Sequence, residues 1–261
     1  MKLPIYQIDA FAEEPFEGNP AAIVPLEKWL SDKTMQAIAG ENNLAETAFF
    51  VAVNGGFHIR WFTPSNEVKL CGHATLASAF VLFNCLGYES DSITFDSLSG
   101  RLSVTKKNNL LTLDFPSQIP RTCEIPSALI KGLGKSPLEC LRNKDFVAVF
   151  KSEDEISGIT PNHHYLEQLE LRGVIVTAPS AKHDFIVRFF APKYGIPEDP
   201  VTGSAYTQLI PYWSKKTGKT KLNAKQISSR GGKLLCELQG DRVLISGSAI
   251  KYMEGTITIK P

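Results

Sequence analysis

Three short segments of this chain carry residue types that move protons or hold anions. Cys71-Gly72-His73-Ala74-Thr75 opens a run, His73 to Leu86, that is apolar on nearly every face. A helix apolar all round is a buried one. Its first backbone N–H groups lack intrahelical partners and sit at the positive end of the helix dipole. Gly72 lets a ligand approach that backbone closely, so the segment can cradle a carboxylate or phosphate. The plainer alternative is that His73 only caps the helix. A second such mouth lies at Glu198-Asp199-Pro200-Val201-Thr202-Gly203-Ser204-Ala205. Asp199, Thr202 and Ser204 are each candidate N-caps. Two acids, two hydroxyls and a glycine are more than a cap requires.

Glu46 lies in Asn42-Asn43-Leu44-Ala45-Glu46-Thr47-Ala48-Phe49-Phe50, where an acid enters an apolar strand. Partial desolvation there suits general acid/base work, although an edge glutamate can equally be solvated. Gly18-Asn19-Pro20-Ala21-Ala22 reads as an ordinary turn.

Other motifs fail. Gly134-Lys135-Ser136 and Gly218-Lys219-Thr220 resemble the end of a P-loop, but Leu129 and Trp213 stand where its first glycine belongs. No GxGxxG follows a strand, and neither Gly203-Ser204 nor Gly247-Ser248 lies in a GxSxG elbow. His58, His73, His163, His164 and His183 make no metal-binding spacing, and His163-His164 reads as a solvated loop. The expectation is a site with no cofactor and no metal.

The elements that must position these residues alternate strand and helix. Pro4–Phe11, Thr47–Val53 and Phe57–Phe62 read as strands, rich in β-branched and aromatic residues. Glu27–Ala39 reads as an amphipathic helix, with Ser31 or Asp32 as its cap and Gly40 as its stop. Gly87 is placed to end the buried helix at 73–86. A meander of short strands follows, at Ser92–Asp96, Leu102–Thr105 and Leu110–Phe115. The three prolines between Pro116 and Ser136 mark a crossover. Beyond them come strands at Phe146–Phe150, Val174–Ala178 and Asp184–Phe190. A helix near 204–217 then contains Pro211, which predicts a kink.

The second half repeats the first. Arg60-Trp61-Phe62-Thr63-Pro64 is echoed by Arg188-Phe189-Phe190-Ala191-Pro192, 128 residues on. Gly72-His73-Ala74 is echoed by Gly203-Ser204-Ala205, and Ser97-x-x-Gly100 by Ser228-x-x-Gly231, both at an offset of 131. A duplicated α+β chain follows, with domains at 1–117 and 118–261 and a last strand able to return to the first. Such a chain sets two equivalent helix mouths to face one cleft, where small-molecule sites tend to form.

Composition agrees with a globular protein. The 261 residues suggest one or two domains, long enough to bury a core without disulfides. With 28 basic and 27 acidic residues the net charge is +1, which gives no broad footprint for nucleic acid. No apolar run approaches the ~18 residues of a membrane helix, and MKLPIYQIDAFAEE reaches charge too early for a secretory leader. Five scattered cysteines without a CxxC fit free thiols in a reducing compartment. A cytoplasmic protein with a small-molecule partner is expected, without nucleic acid or membrane.

Taken together, these segments resemble the PhzF family, named after the phenazine-biosynthesis isomerase. The match takes in Ile8-Asp9-Ala10-Phe11, Gly18-Asn19-Pro20-Ala21-Ala22, Asn43-Leu44-Ala45-Glu46-Thr47 and Phe62-Thr63-Pro64. It continues through Cys71-Gly72-His73-Ala74-Thr75, Arg188-Phe189-Phe190-Ala191-Pro192 and Glu198 to Ala205, and is weakest from Cys123 to Leu171. The resemblance implies a diaminopimelate epimerase-like α+β fold: two similar domains, each a mostly antiparallel curled sheet around a central helix. It implies Glu46 as general acid/base. His73, Asp199 and Ser204 would help bind or protonate the substrate, with Asn19, Cys71 and Thr202 as further substrate-binding residues. The Gly72 and Gly203 N–H groups would hold a substrate carboxylate. It implies an isomerase without cofactor, in a family whose members are often homodimers.

Diaminopimelate epimerases use two thiols, one at each helix mouth. Cys71 stands where one would be, but its counterpart is Thr202, a poor proton acceptor. Two-thiol racemisation is therefore disfavoured. The leading reading is a proton-transfer isomerase of a small carboxylate-bearing molecule. The alternatives are an epimerase or racemase using Glu46 with Cys71, and a non-catalytic binding protein.

Overall fold

The computed structural model describes residues 1–260 of the chain. Two compact units are present: Met1–Asp114 together with the chain from Ser246 onward, and Phe115–Ile245. The sequence pattern places the junction at 117/118; in the structure the division falls just after Asp114.

The first unit contains β1 (Lys2–Ala10), β2 (Asn19–Leu26), α1 (Asp32–Asn42), β3 (Glu46–Val53), β4 (Gly56–Phe62) and β5 (Glu67–Val68). It continues with α2 (Gly72–Asn84), β6 (Ser92–Ser97), β7 (Gly100–Lys107) and β8 (Leu110–Pro116), within which the unit ends. β2 pairs in parallel with β3, joined through α1, and β4 in parallel with β6, joined through α2. The pairs β1–β2, β3–β4, β6–β7 and β7–β8 are antiparallel, and the last strand, Ala249–Thr258, pairs antiparallel with β1.

At its core lies α2, packed against β1, β2 and β3. Ten of its 13 residues are buried, so hardly any face is left to water. Its two buried hydroxyls bond back into the helix, Thr75 to the Cys71 carbonyl at 2.5 Å and Ser78 to the Ala74 carbonyl at 2.7 Å. That internal bonding removes the penalty of burying them. Gly18 takes φ +67 before β2, and a Cβ there would collide with the Ala10 carbonyl. The bend at Gly18 therefore requires glycine, while Asn19–Ala22, expected to be a turn, open β2 and pair with β1 and β3.

The second unit holds β9 (Arg121–Thr122), α3 (Ser127–Leu133), β10 (Glu139–Arg142), β11 (Phe146–Val149), α4 (Glu153–Ser157), α5 (His163–Leu166), β12 (Val174–Pro179) and β13 (Phe185–Phe190). A 3₁₀ turn at Gly203–Ala205 leads into α6 (Tyr206–Thr217), followed by β14 (Lys221–Gln226), β15 (Gly232–Gln239) and β16 (Arg242–Gly247), within which this unit ends. Here β11 pairs in parallel with β12 and β13 with β14, while β10–β11, β12–β13 and β14–β15 are antiparallel. That is the pairing order of the first unit. The sequence repeat is thus a structural one.

The repeated arginines show it at atomic scale. Arg60 donates from Nε and Nη2 to the two Glu67 oxygens, both at 2.7 Å, with its guanidinium 5.2 Å from the Phe62 ring centre. Arg188 grips Glu198 in the same way at 2.8 and 2.9 Å, 4.9 Å from the Phe190 ring centre. Arg188 also donates from Nη1 to the Ile156 and Ile159 carbonyls at the end of α4.

Four other local expectations are corrected. The first helix begins at Asp32 rather than Glu27, because the Ser31 hydroxyl caps it by accepting the Thr34 N–H at 3.1 Å. The residues before it stay out of the helix, and Trp29 packs edge-on to His58 and under Arg60. Gly40 lies inside α1 rather than ending it; Asn43, in the left-handed conformation at φ 48, makes the stop. His163 and His164 form α5 rather than a loop, since Leu166 inserts into the second core. The helix expected from Ser204 starts at Tyr206, because the Thr202 hydroxyl donates to Asp199 instead of capping.

Replacing Arg188 with Met strands Glu198 and two backbone carbonyls. The expected loss approaches the ~3–5 kcal/mol of a broken buried pair. Arg60→Met should lose less, because one of its partners, Asp32, is solvent-exposed. Urea unfolding of both variants checks this order, and an equal or larger loss at Arg60 would contradict it.

Candidate active site

Glu46 owes its position to the turn before β3. The Asn43 N–H bonds the Ala39 carbonyl at 3.1 Å as α1 ends, and asparagine tolerates the left-handed conformation this requires. Asn42 Nδ2 then donates to the Thr47 hydroxyl at 3.0 Å, fixing the first turn of chain into the strand. Glu46 is the first residue of β3, opposite Ala21 of β2. Asn19 begins β2 and is fully buried.

Two residues into α2, His73 meets this carboxylate. Its Nε2 lies 3.2 Å from Glu46 Oε2, with side-chain exposures of 7% for His73 and 13% for Glu46. Cys71 is the N-cap residue, yet no side chain caps α2, so the helix mouth keeps its dipole open. His73 is therefore no cap: its ring is spent on the acid. Cys71 Sγ lies 3.5 Å from His73 Nδ1 and 4.0 Å from Nε2. Being nearly equidistant, the sulfur sits beside the ring between the two nitrogens, not in line with Nδ1.

Charge follows from this geometry. Burial, and then the Glu46 charge, hold the Cys71 thiol above its ordinary value. Burial pulls the His73 imidazole down, but Cys71 and Glu46 beside it outweigh this and hold it well above the usual histidine range. Glu46, 3.2 Å from Nε2, favours the charged form of His73 both by its charge and by hydrogen bonding. Glu46, Cys71 and His73 offer three ligand atoms within 4.8 Å of one another, the only such cluster among the described residues.

The second unit gathers the other expected residues. The Thr202 hydroxyl donates to Asp199 Oδ2 at 2.5 Å, and its N–H to Gln226 Oε1 at 3.0 Å. Gln226 Nε2 returns to the Asp199 carbonyl at 2.8 Å and the Thr202 hydroxyl at 3.2 Å. Gly203 opens the 3₁₀ turn. Ser204 accepts a bond from Arg172 Nη2 at 3.0 Å.

No sequence motif marks Arg172. Asp145, fully buried, holds its guanidinium with two bonds of 2.8 and 2.6 Å and also accepts from Gln208 at 2.9 Å. Burial would pull this guanidinium down, but the Asp145 bonds and the Asp145 and Asp199 charges push it up, so it is a fixed cation. The repeat held the signal. In the first unit an acid at the start of β3 meets the second residue of α2. In the second, Arg172 stands just before β12 and meets Ser204, the repeat counterpart of His73. Thr47 pairs with Phe62 and Val174 with Phe190, so the counterpart of Glu46 is Gly173; Arg172 stands one residue before it and brings a cation to the second helix mouth where the first has an acid.

Comparison with known proteins now decides the family. The family model described as "Phenazine biosynthesis-like protein" (PhzC-PhzF) matches residues 8–255. The chain belongs to the phenazine biosynthesis-like family. A Pseudomonas aeruginosa protein named as an uncharacterized isomerase is 49% identical over 257 residues, covering 98% of this chain and 99% of that one. One from Halalkalibacterium halodurans, also named as an uncharacterized isomerase, is 44% identical over 264 residues, covering 99% and 100%. The crystal structure of a PhzF-family phenazine biosynthesis protein from Enterococcus faecalis superposes with a TM-score of 0.97 at 48% identity, covering 99% of this chain and 100% of that one. More distantly, a hydroxyproline epimerase from Agrobacterium vitis shares the fold alone, at 8% identity and a TM-score of 0.64. The α+β, epimerase-like fold expected from sequence is therefore present in this member of the phenazine biosynthesis-like family. No helix among its described residues is long and apolar enough to cross a membrane.

The His73 shift has a stability consequence. A folded-state value above the unfolded one contributes stability that is full below the unfolded value, near pH 6.5. That contribution is lost as pH rises through the folded value. The stability gap between wild type and His73→Gln should therefore be larger at about pH 6 than at pH 9. Urea titrations at the two pH values measure it, and a gap independent of pH would refute the charged pair.

Proposed function

We propose that the protein is an isomerase of a small carboxylate-bearing substrate, acting by proton transfer with Glu46 as the general acid/base and with no metal or organic cofactor. The observation that carries this reading is the half-closed Glu46–His73 pair beside the uncapped start of α2. Glu46 Oε2 faces His73, which leaves Oε1 to take a proton from a carbon and return it to another on the same face. No net proton is gained or lost. His73 orients the carboxylate, and the Gly72 N–H, at the positive end of α2, suits a substrate carboxylate.

Asp199, Ser204 and Gly203 enter the proposal as substrate-orienting residues, on the family resemblance of their segment. Ser204 accepts from Arg172, which frees its own proton for donation. The relatives named as isomerases support the reaction class. A cytoplasmic homodimer belongs to the same reading. An epimerase using Cys71 as a second base is less well supported, since burial and the Glu46 charge both keep that thiol protonated.

General acid/base catalysis by one residue contributes about 10²–10⁴-fold. Glu46→Gln should lose turnover by at least about that much while keeping the fold. The test incubates wild type and variant with a carboxylate-rich metabolite mixture in D₂O and follows mass and chromatographic retention. A metabolite changed by wild type alone supports the proposal. Equal conversion by Glu46→Gln would remove Glu46 from the mechanism, and binding without conversion by wild type would favour a non-catalytic role.

A further inference from the structure

Five thiols are free in this protein, and two of them touch. β9 and β10 pair antiparallel with Arg121 opposite Arg142 and Thr122 opposite Leu141. The next position in that register sets Cys123 opposite Cys140. The Cys123 N–H bonds the Cys140 carbonyl at 2.9 Å, and the two sulfurs are 3.5 Å apart. Directly paired residues on antiparallel strands have Cα atoms about 4.5–5.5 Å apart, inside the ~4.4–6.8 Å range that a disulfide spans. Neither backbone has to travel for the sulfurs to bond.

The two thiols differ in surroundings. Cys140 is buried in the core of the second unit, beside Leu129, Leu133 and Phe146. Cys123 is only partly buried and lies at the rim of that core. Burial first, and then contact with Cys123, push the Cys140 thiol up to about 12. A partly accessible thiol in contact with a shielded one is the arrangement in which the first meets an oxidant and the second resolves it.

We propose that Cys123 and Cys140 form a reversible thiol-oxidation site that takes a hydroperoxide as its oxidant and closes to an intramolecular disulfide. Cys123 sulfur attacks the terminal peroxide oxygen, breaking the O–O bond; with hydrogen peroxide this gives a sulfenic acid and one water. Cys140 sulfur then attacks the Cys123 sulfur, forming the S–S bond and expelling the sulfenic oxygen as a second water. Both thiol protons leave in the waters, and two electrons pass from the sulfur pair to the peroxide. Closure ties the segment before α3 to β10 across a loop of about 17 residues. Such a link restricts the unfolded chain more than the folded one. In a reducing compartment disulfides are characteristically transient, so a dithiol poised to oxidise can report a passing oxidant.

The test treats the native protein with hydrogen peroxide, blocks remaining thiols with iodoacetamide, digests with trypsin without reduction and maps the peptides by mass. The expected product joins Thr122–Lys131 to Ser136–Arg142, two hydrogens lighter than the sum of its parts. It should disappear with dithiothreitol, and closure should raise the thermal midpoint reversibly. A Cys123→Ser protein should give no such product, whereas Cys85→Ser should give it unchanged. Alkylated Cys123 and Cys140, sulfinic or sulfonic acid at Cys123 alone, or a link to any other cysteine would each overturn the proposal.

Discussion

A carboxylate at the first residue of a strand and an imidazole at the second residue of a buried helix, 3.2 Å apart, set the demands that the first unit must meet. Both groups lose most of their water on folding, and an unpaired charge there would be strongly unfavourable. The pair survives because each supplies the charge the other lacks. Holding it requires that β3 begin at Glu46 and α2 at Gly72. The first is arranged by the left-handed Asn43 and the Asn42–Thr47 bond. The second follows from the parallel crossover between β4 and β6, which lays α2 against β1, β2 and β3.

Duplication explains why the second unit has the same frame with different chemistry. The order of parallel and antiparallel pairings recurs, and so does the two-pronged arginine–glutamate grip after each central hairpin. Those parts hold the frame and tolerate little change. The helix mouths are where the copies diverge: Cys71, Gly72 and His73 correspond to Thr202, Gly203 and Ser204. The second copy replaces an acid–imidazole pair with an arginine–serine pair, anchored on the fully buried Asp145.

Most of the fold was legible because repeats and apolar periodicity are local signals. The R-aromatic-F-x-P echoes marked both hairpins, and the all-round apolar character of 73–86 marked the buried helix. Boundaries were legible only where a side chain's bonding partner lay nearby in sequence, as at Ser31. Where the partner was remote, the reading missed. Thr202 looked like a cap, but Gln226, 24 residues on, helps hold it toward Asp199. Glu46 and His73 each stand out by type, but nothing in the 26 intervening residues says that they touch. Arg172 lies outside any motif, and only its contact with Ser204 gives it a role.

The charge state of His73 tests the account most directly. Nitrogen-15 chemical shifts of the imidazole, recorded at pH 7 on wild type and Glu46→Gln, distinguish the charged ring from both neutral tautomers. The account predicts an imidazolium in wild type, with both nitrogens protonated, and a neutral ring once the carboxylate is removed. A neutral His73 in the wild-type protein would contradict it, and with it the pairing on which the proposed proton transfer depends.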